Sequence, residues 1–194
     1  MGRVPVYDYI ILAVGFLVWV MPFFLLKRDK PVEAGDTDMR ARWGIVLQMI
    51  AYAVVWQGRF WVRAPAGWRV GLSILFFALA AIISWTAIRT LGKQWRLDAR
   101  LNADHQLVQT GVYAIVRHPI YTSMIFFLLA QGVMVAPWPL LIVAMTLMLI
   151  GTEIRVRVEE KLLRGRFTTQ LDAYRRRVGA YIPKTPLRKE TRLG

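Results

Sequence analysis

Residues 120–150 read IYTSMIFFLLAQGVMVAPWPLLIVAMTLMLI. Two apolar runs, 120–135 and 140–150, flank the tetrapeptide Ala136-Pro137-Trp138-Pro139. Neither run carries a charge, and neither alternates polar with apolar as a half-buried strand does. The proline-rich tetrapeptide reads as a tight turn. The stretch therefore predicts a transmembrane helical hairpin, and with it an all-α integral membrane protein. The second helix of the hairpin is expected to continue past Gly151 into water, through Glu153, Arg155, Arg157 and Glu160. From about Lys161 the chain is basic and partly helical, with a polar tail.

Upstream lie three further apolar blocks, 9–26, 43–61 and 70–91. The first holds Pro22, which predicts a kink or an early end. It lacks a basic leader and a small-residue cleavage site, so it reads as a permanent span and not a signal peptide. The second is interrupted by Gln48, Gln57 and Arg59, with Trp43, Trp56 and Trp61 near its ends, where indoles favour the interface. The glutamines are candidates for lining a polar cavity, and Arg59 for snorkelling from a helix end. The third is long enough to cross about 30 Å of hydrocarbon at about 1.5 Å per residue. About five spans result. Residues 1–91 are expected to form three N-terminal spans. Residues 92–194 are expected to form a core holding the hairpin 120–151 and a basic tail.

The charges orient this arrangement. The chain has 194 residues, 56% of them hydrophobic, and a net charge of +14. Its mean hydropathy is +0.40. Of 26 Lys and Arg, 21 fall in 27–42, 92–119 and 152–194. Basic residues are retained on the cytoplasmic side, which predicts a multi-pass protein with its N-terminus out and C-terminus in. The same asymmetry explains the basic character without a nucleic-acid partner. The tail is suited to anionic headgroups of membrane lipid. Cysteine is absent and histidine occurs only at 105 and 118, so neither thiol chemistry nor a metal site is expected.

Two polar segments flank the hairpin. One is His105-Gln-Leu107-Val108-Gln-Thr-Gly111-Val-Tyr113-Ala-Ile-Val-Arg117-His118-Pro119-Ile-Tyr121. The other begins Arg155-Val-Arg157-Val-Glu159-Glu160-Lys161-Leu162-Leu163 and continues through Phe167, Tyr174 and Arg175-Arg176-Arg177-Val178. A closed hairpin makes these segments neighbours. Arg117 and His118 precede a proline suited to a helix start, a place where anions are held. Glu159 and Glu160 face them with negative charge. Tyr113 and Tyr121 add aromatic faces for a cationic centre. Each piece also has a plain reading: a basic helix flank, an exposed ion pair worth a few tenths of a kcal/mol, an interfacial tyrosine. Their joint occurrence at the two feet of one hairpin is what those readings do not explain. No dinucleotide fingerprint, P-loop or zinc-protease motif is present.

The run Gly111-x-Tyr113-x-x-x-Arg117-His118-Pro119-x-Tyr121, preceded by His105-x-Leu107-Val108, resembles the isoprenylcysteine carboxyl methyltransferases. So does Glu159-Glu160-x-x-Leu163 with Phe167 and the Tyr174–Val178 motif. The wider group includes phospholipid N-methyltransferases and bacterial membrane methyltransferases. The resemblance covers roughly residues 90–184. It implies a membrane methyltransferase that uses S-adenosylmethionine, releases S-adenosylhomocysteine and modifies a lipidic or small hydrophobic acceptor at the cytoplasmic face.

By position, the resemblance implies that His105, Leu107, Val108, Gly111, Tyr113, Arg117, His118, Pro119 and Tyr121 bind the cofactor, together with Glu159, Glu160 and Leu163. It implies substrate handling by Arg155, Glu160 and Arg177. Thr122-Ser123 and Thr168 depart from the family's small residues and leave the acceptor open: carboxylate, phospholipid amine or small thiol. A non-catalytic membrane component or small transporter is the alternative of another class. It would require facing ionisable groups inside the spans, and the last three blocks carry almost none. The short chain without an endoplasmic-reticulum retention tail points to a bacterial inner membrane.

Overall fold

The computed structural model describes residues 4–25, 39–58, 60, 64–92 and 106–184. Arg59, Trp61, most of the loop after the first block, His105 and the tail after 184 lie outside the described residues. Five helices follow in order: α1 (Val6–Leu25), α2 (Met39–Val55), α3 (Gly67–Leu91), α4 (Pro119–Val135) and α5 (Trp138–Arg177), with a 3-10 turn (Gly111–Ala114) before α4. Each of the five apolar blocks corresponds to one helix.

By length and composition α1, α3 and α5 are each able to cross a membrane. The 17 residues of α2 and of α4 rise only about 25 Å each. α4 does not have to meet lipid on its own, because most of it is buried among its neighbours. Its Phe127 stacks on Trp19 of α1 at 4.1 Å and meets Tyr52 of α2 and Phe77 of α3 edge-on. The outer faces are apolar instead: Ile10, Leu17 and Phe24 on α1, and Ile142, Val143 and Ile150 on α5, are all exposed. An apolar exterior of this extent belongs in a bilayer.

Polar side chains join the helices where each finds a partner. Ser73 donates to the Ala130 carbonyl (2.7 Å), Trp56 to Gln131 (2.8 Å) and Trp85 to the Val18 carbonyl (2.9 Å). The seam between α2 and α5 is close because of two glycines. A Cβ on Gly44 would lie 2.7 Å from the Gly151 carbonyl oxygen, and one on Gly151 would lie 2.7 Å from that of Gly44. Small residues at such crossings let helix backbones approach within a membrane. Gln48, one turn beyond Gly44, donates to Thr152, the residue after Gly151, at 2.9 Å. Gln48 is thus consumed by the seam, and Gln57 binds the Ala53 carbonyl of its own helix.

Three boundaries also differ from the sequence reading. α1 runs three residues past Pro22. α2 starts at Met39 and ends at Val55, before the apolar block does. Gly58, just beyond that end, lies against the hairpin turn, where a Cβ would come 2.7 Å from the Val135 carbonyl oxygen. The hairpin turn is shorter than the tetrapeptide. Pro137 caps α5, and Trp138 and Pro139 already lie in its first turn.

Candidate functional site

The site is built where the two polar segments meet. Gly111 opens the first. Its φ of +57° is a left-handed conformation suited to glycine, and a Cβ there would lie 2.8 Å from Thr90 Oγ1 of α3. The 3-10 turn that follows buries Tyr113. His118 then caps α4, and Pro119 takes the first helical position, where its missing N–H costs nothing.

The second segment lies on α5, which does not run straight. Phe167 has φ −124° and ψ 35°, outside the helical region. Fifteen residues separate Glu160 from Arg175, about 22 Å along a straight helix. Yet Arg175 Nε lies 3.3 Å from Glu160 Oε2. The bend at Phe167 folds 168–177 back over the preceding limb. It also places Tyr174 so that its hydroxyl donates to the Tyr113 carbonyl. Leu107, Leu163 and Phe167 pack around Leu171, Tyr174 and Val178 in a small apolar cluster beneath the polar groups.

Glu160 is the hub. One oxygen accepts from Arg117 Nε at 3.1 Å and Nη2 at 2.8 Å, and lies 3.2 Å from His118 Nε2. The other faces Arg175. His118 Nδ1 lies 3.6 Å from Glu159, whose other oxygen accepts from the Tyr121 hydroxyl. Arg155 lies over the Tyr121 ring at 5.3 Å. The Arg117 and Glu160 side chains are 9% and 11% exposed, so solvent screens this pair little.

Burial alone would push the Glu160 carboxyl up, but hydrogen bonds from His118 and Arg117 outweigh it and hold it down at about 2. Burial likewise opposes charge on His118, yet the two carboxylates raise its pKa above the usual range and favour the imidazolium. Burial, with Glu159 nearby, pushes the Tyr113 phenol well up, so it stays protonated.

Arg117, His118, Pro119, Tyr121, Arg155, Glu159 and Glu160 thus come together. Tyr113 stands beside them, while Leu107 and Leu163 support from the apolar cluster. Val108 is half-buried in the segment leading to Gly111. Arg177 is exposed and donates to Gln109 at 3.0 Å, away from the Glu160 hub. The sequence reading did not single out Arg175 as a partner of Glu160, nor Glu153 and Tyr181, which join each other at 3.0 Å. A helical projection of α5 without its bend puts Arg175 far from Glu160, so no local signal announces that contact.

The fold and the site define a class: a polytopic helical membrane protein with a charged, ion-paired cluster across the feet of one hairpin. Residues 72–165 match the model of the isoprenylcysteine carboxyl methyltransferase family, the family the two motifs resemble. The chain is 31% identical over 115 residues to the protein-S-isoprenylcysteine O-methyltransferase of Saccharomyces cerevisiae, covering 58% of this chain and 48% of that one. It is 30% identical over 119 residues to the enzyme of the same name from Tribolium castaneum, covering 60% and 42%. To protein-S-isoprenylcysteine O-methyltransferase B of Arabidopsis thaliana it is 29% identical over 143 residues, covering 71% and 69%. The aligned stretch spans about half the length of the first two relatives.

Proposed function

We propose that the chain is an S-adenosylmethionine-dependent membrane methyltransferase acting on a lipidic acceptor, with its site at the cytoplasmic face and an N-out, C-in topology. The observation that carries this is the Arg117–Glu160–His118 cluster. It joins two motif segments 42 to 43 residues apart, each of which the family likeness ties to cofactor binding. The donor set suits a zwitterionic, cationic nucleoside cofactor. Two guanidiniums, Arg117 and Arg175, and the His118 imidazole meet two carboxylates, Glu159 and Glu160. The guanidiniums and the imidazole suit a carboxylate, and the tyrosines and glutamates suit a cation and ribose hydroxyls.

In this reading His105, Leu107, Val108, Gly111, Tyr113, Arg117, His118, Pro119, Tyr121, Glu159, Glu160 and Leu163 hold the cofactor. When bound, it supplies a methyl group on a sulfonium. Arg155, Glu160 and Arg177 orient the acceptor. A carboxylate acceptor has no proton to lose, so these residues have only to position it and keep water out. The relatives' name points to isoprenylcysteine, whose nucleophile is of that kind. Residues 92–194 form the methyltransferase core and 1–91 the scaffold.

The test is calorimetric titration of S-adenosylhomocysteine into detergent-purified, folded protein. Saturable binding in the micromolar-to-millimolar range is expected. No binding by folded protein removes the proposal.

A further inference from the structure

Beyond α5 the chain turns back across the site, past the end of the family match at 165. Val116 and Gly179 form a parallel bridge. The Arg117 N–H donates to the Gly179 carbonyl at 2.8 Å and the His118 N–H to the Ala180 carbonyl at 3.0 Å. The Arg117 guanidinium, already on Glu160, donates also to the Val178 carbonyl. The Thr122 hydroxyl of α4 donates to the Tyr181 carbonyl at 3.3 Å. Both main-chain N–H groups of the Arg117-His118 pair are therefore satisfied by the returning segment.

That segment is anchored at its far end too. The Tyr181 hydroxyl donates to Glu153, which also holds Arg157 at 2.8 Å. The Tyr181 ring stands 6.3 Å from the His118 ring. Lys184 donates to the Arg175 carbonyl at 2.6 Å, capping the last turn of α5. Between these anchors the chain is folded tightly. A Cβ on Gly179 would sit 1.9 Å from the Ile182 carbonyl oxygen, so no side chain fits there without reshaping the turn.

We propose that residues 178–184 are a strap whose register on 116–118 sets the position of Arg117 and His118, with Gly179 and Tyr181 as its positioning residues. The inference rests on the reading of this site as a cofactor site. Arg117 and His118 lie at the junction of a 3-10 turn and a helix, and their own segment offers their N–H groups no partner. The strap supplies those partners and ties them through Tyr181 to Glu153, on the same α5 limb that carries Glu160. The two cations and the hub carboxylate thus keep one relative placement.

The experiment uses the full chain in detergent, as Gly179→Ala, Tyr181→Phe and, as an exposed strap control, Ile182→Ala. S-adenosylhomocysteine affinity is measured at low temperature beside thermal unfolding and hydrogen exchange of 106–121. Gly179→Ala is expected to weaken binding about tenfold or more, as displacement of oriented groups does. Tyr181→Phe is expected to weaken it roughly two- to tenfold, the range of one lost hydrogen bond. Both are expected to speed exchange at 117 and 118 while the helices melt near the wild-type temperature. Ile182→Ala is expected to change nothing.

Unchanged affinity in Tyr181→Phe and in folded Gly179→Ala, with wild-type protein binding normally, overturns the strap. A fall in melting temperature without a fall in affinity does the same, since it marks a merely structural role. Wild-type protein that binds nothing overturns instead the functional reading on which the strap rests.

Discussion

The two ends of the α4–α5 hairpin solve one problem in opposite ways. Each must hold cations at the end of an apolar bundle. At the turn end Arg69 donates to the Val133 carbonyl at 2.5 Å and to the Ala136 carbonyl, and lies over the Trp138 ring at 5.8 Å. At the other end Arg117, His118 and Arg175 converge on Glu160. Backbone carbonyls are fixed, uncharged and indifferent to pH or ligand. Carboxylates are charged and titratable, and a ligand's anion can compete for the cations they hold. The turn end is built as a lock, and the foot, in the proposed function, serves as a site.

Removing the hub breaks this contrast most strongly. Glu160→Ala leaves three cations without their shared partner, and breaking a buried pair costs about 3–5 kcal/mol. Binding of S-adenosylhomocysteine is expected to be lost, and chemical unfolding to show the destabilisation.

Arg69→Met comes next. It removes charge-assisted hydrogen bonds worth about 1.5–3 kcal/mol each. Stability is expected to fall while cofactor affinity holds, the reverse emphasis from Glu160. A loss of affinity in folded Arg69→Met protein breaks the division between lock and site.

Gly44→Ala sharpens it. The added Cβ meets the Gly151 carbonyl oxygen and, at 2.5 Å, Arg155 Cγ. Overpacking of this kind costs about 1–3 kcal/mol. Because the crowded residue is Arg155, acceptor KM is expected to rise more than cofactor affinity falls.

The smallest effect is that of pH. The His118 pKa is raised by its carboxylates, so its contribution is complete below the unfolded value of 6.5 and is lost as pH rises through the folded value. Alkaline pH is expected to lower the melting temperature of wild-type protein, and His118→Gln to flatten that slope. Glu160 behaves oppositely: its contribution is present above the ordinary carboxyl value and fades as pH falls toward about 2.

Much of this was legible in the sequence for physical reasons. Uninterrupted apolar runs and a Pro-Trp-Pro turn permit few folds, so five helices and the hairpin followed from 120–150 outward. The meeting of Arg117 and His118 with Glu159 and Glu160 followed from the hairpin alone. Other features arise from long-range geometry that no local pattern encodes. The bend at Phe167 carries no proline, and it alone brings Arg175 to Glu160. The strap depends on one parallel bridge and on the room missing at Gly179. Gln48 looked like a cavity residue because its partner, Thr152, is 104 positions away.

The central claim is that two distant segments make one site at the foot of the hairpin. Hydrogen–deuterium exchange with and without S-adenosylhomocysteine tests it directly. The expected result is joint protection of 106–121 and 155–181, with no change at the turn around Pro137. Protection of one segment alone, or of neither while the ligand is bound, contradicts the account.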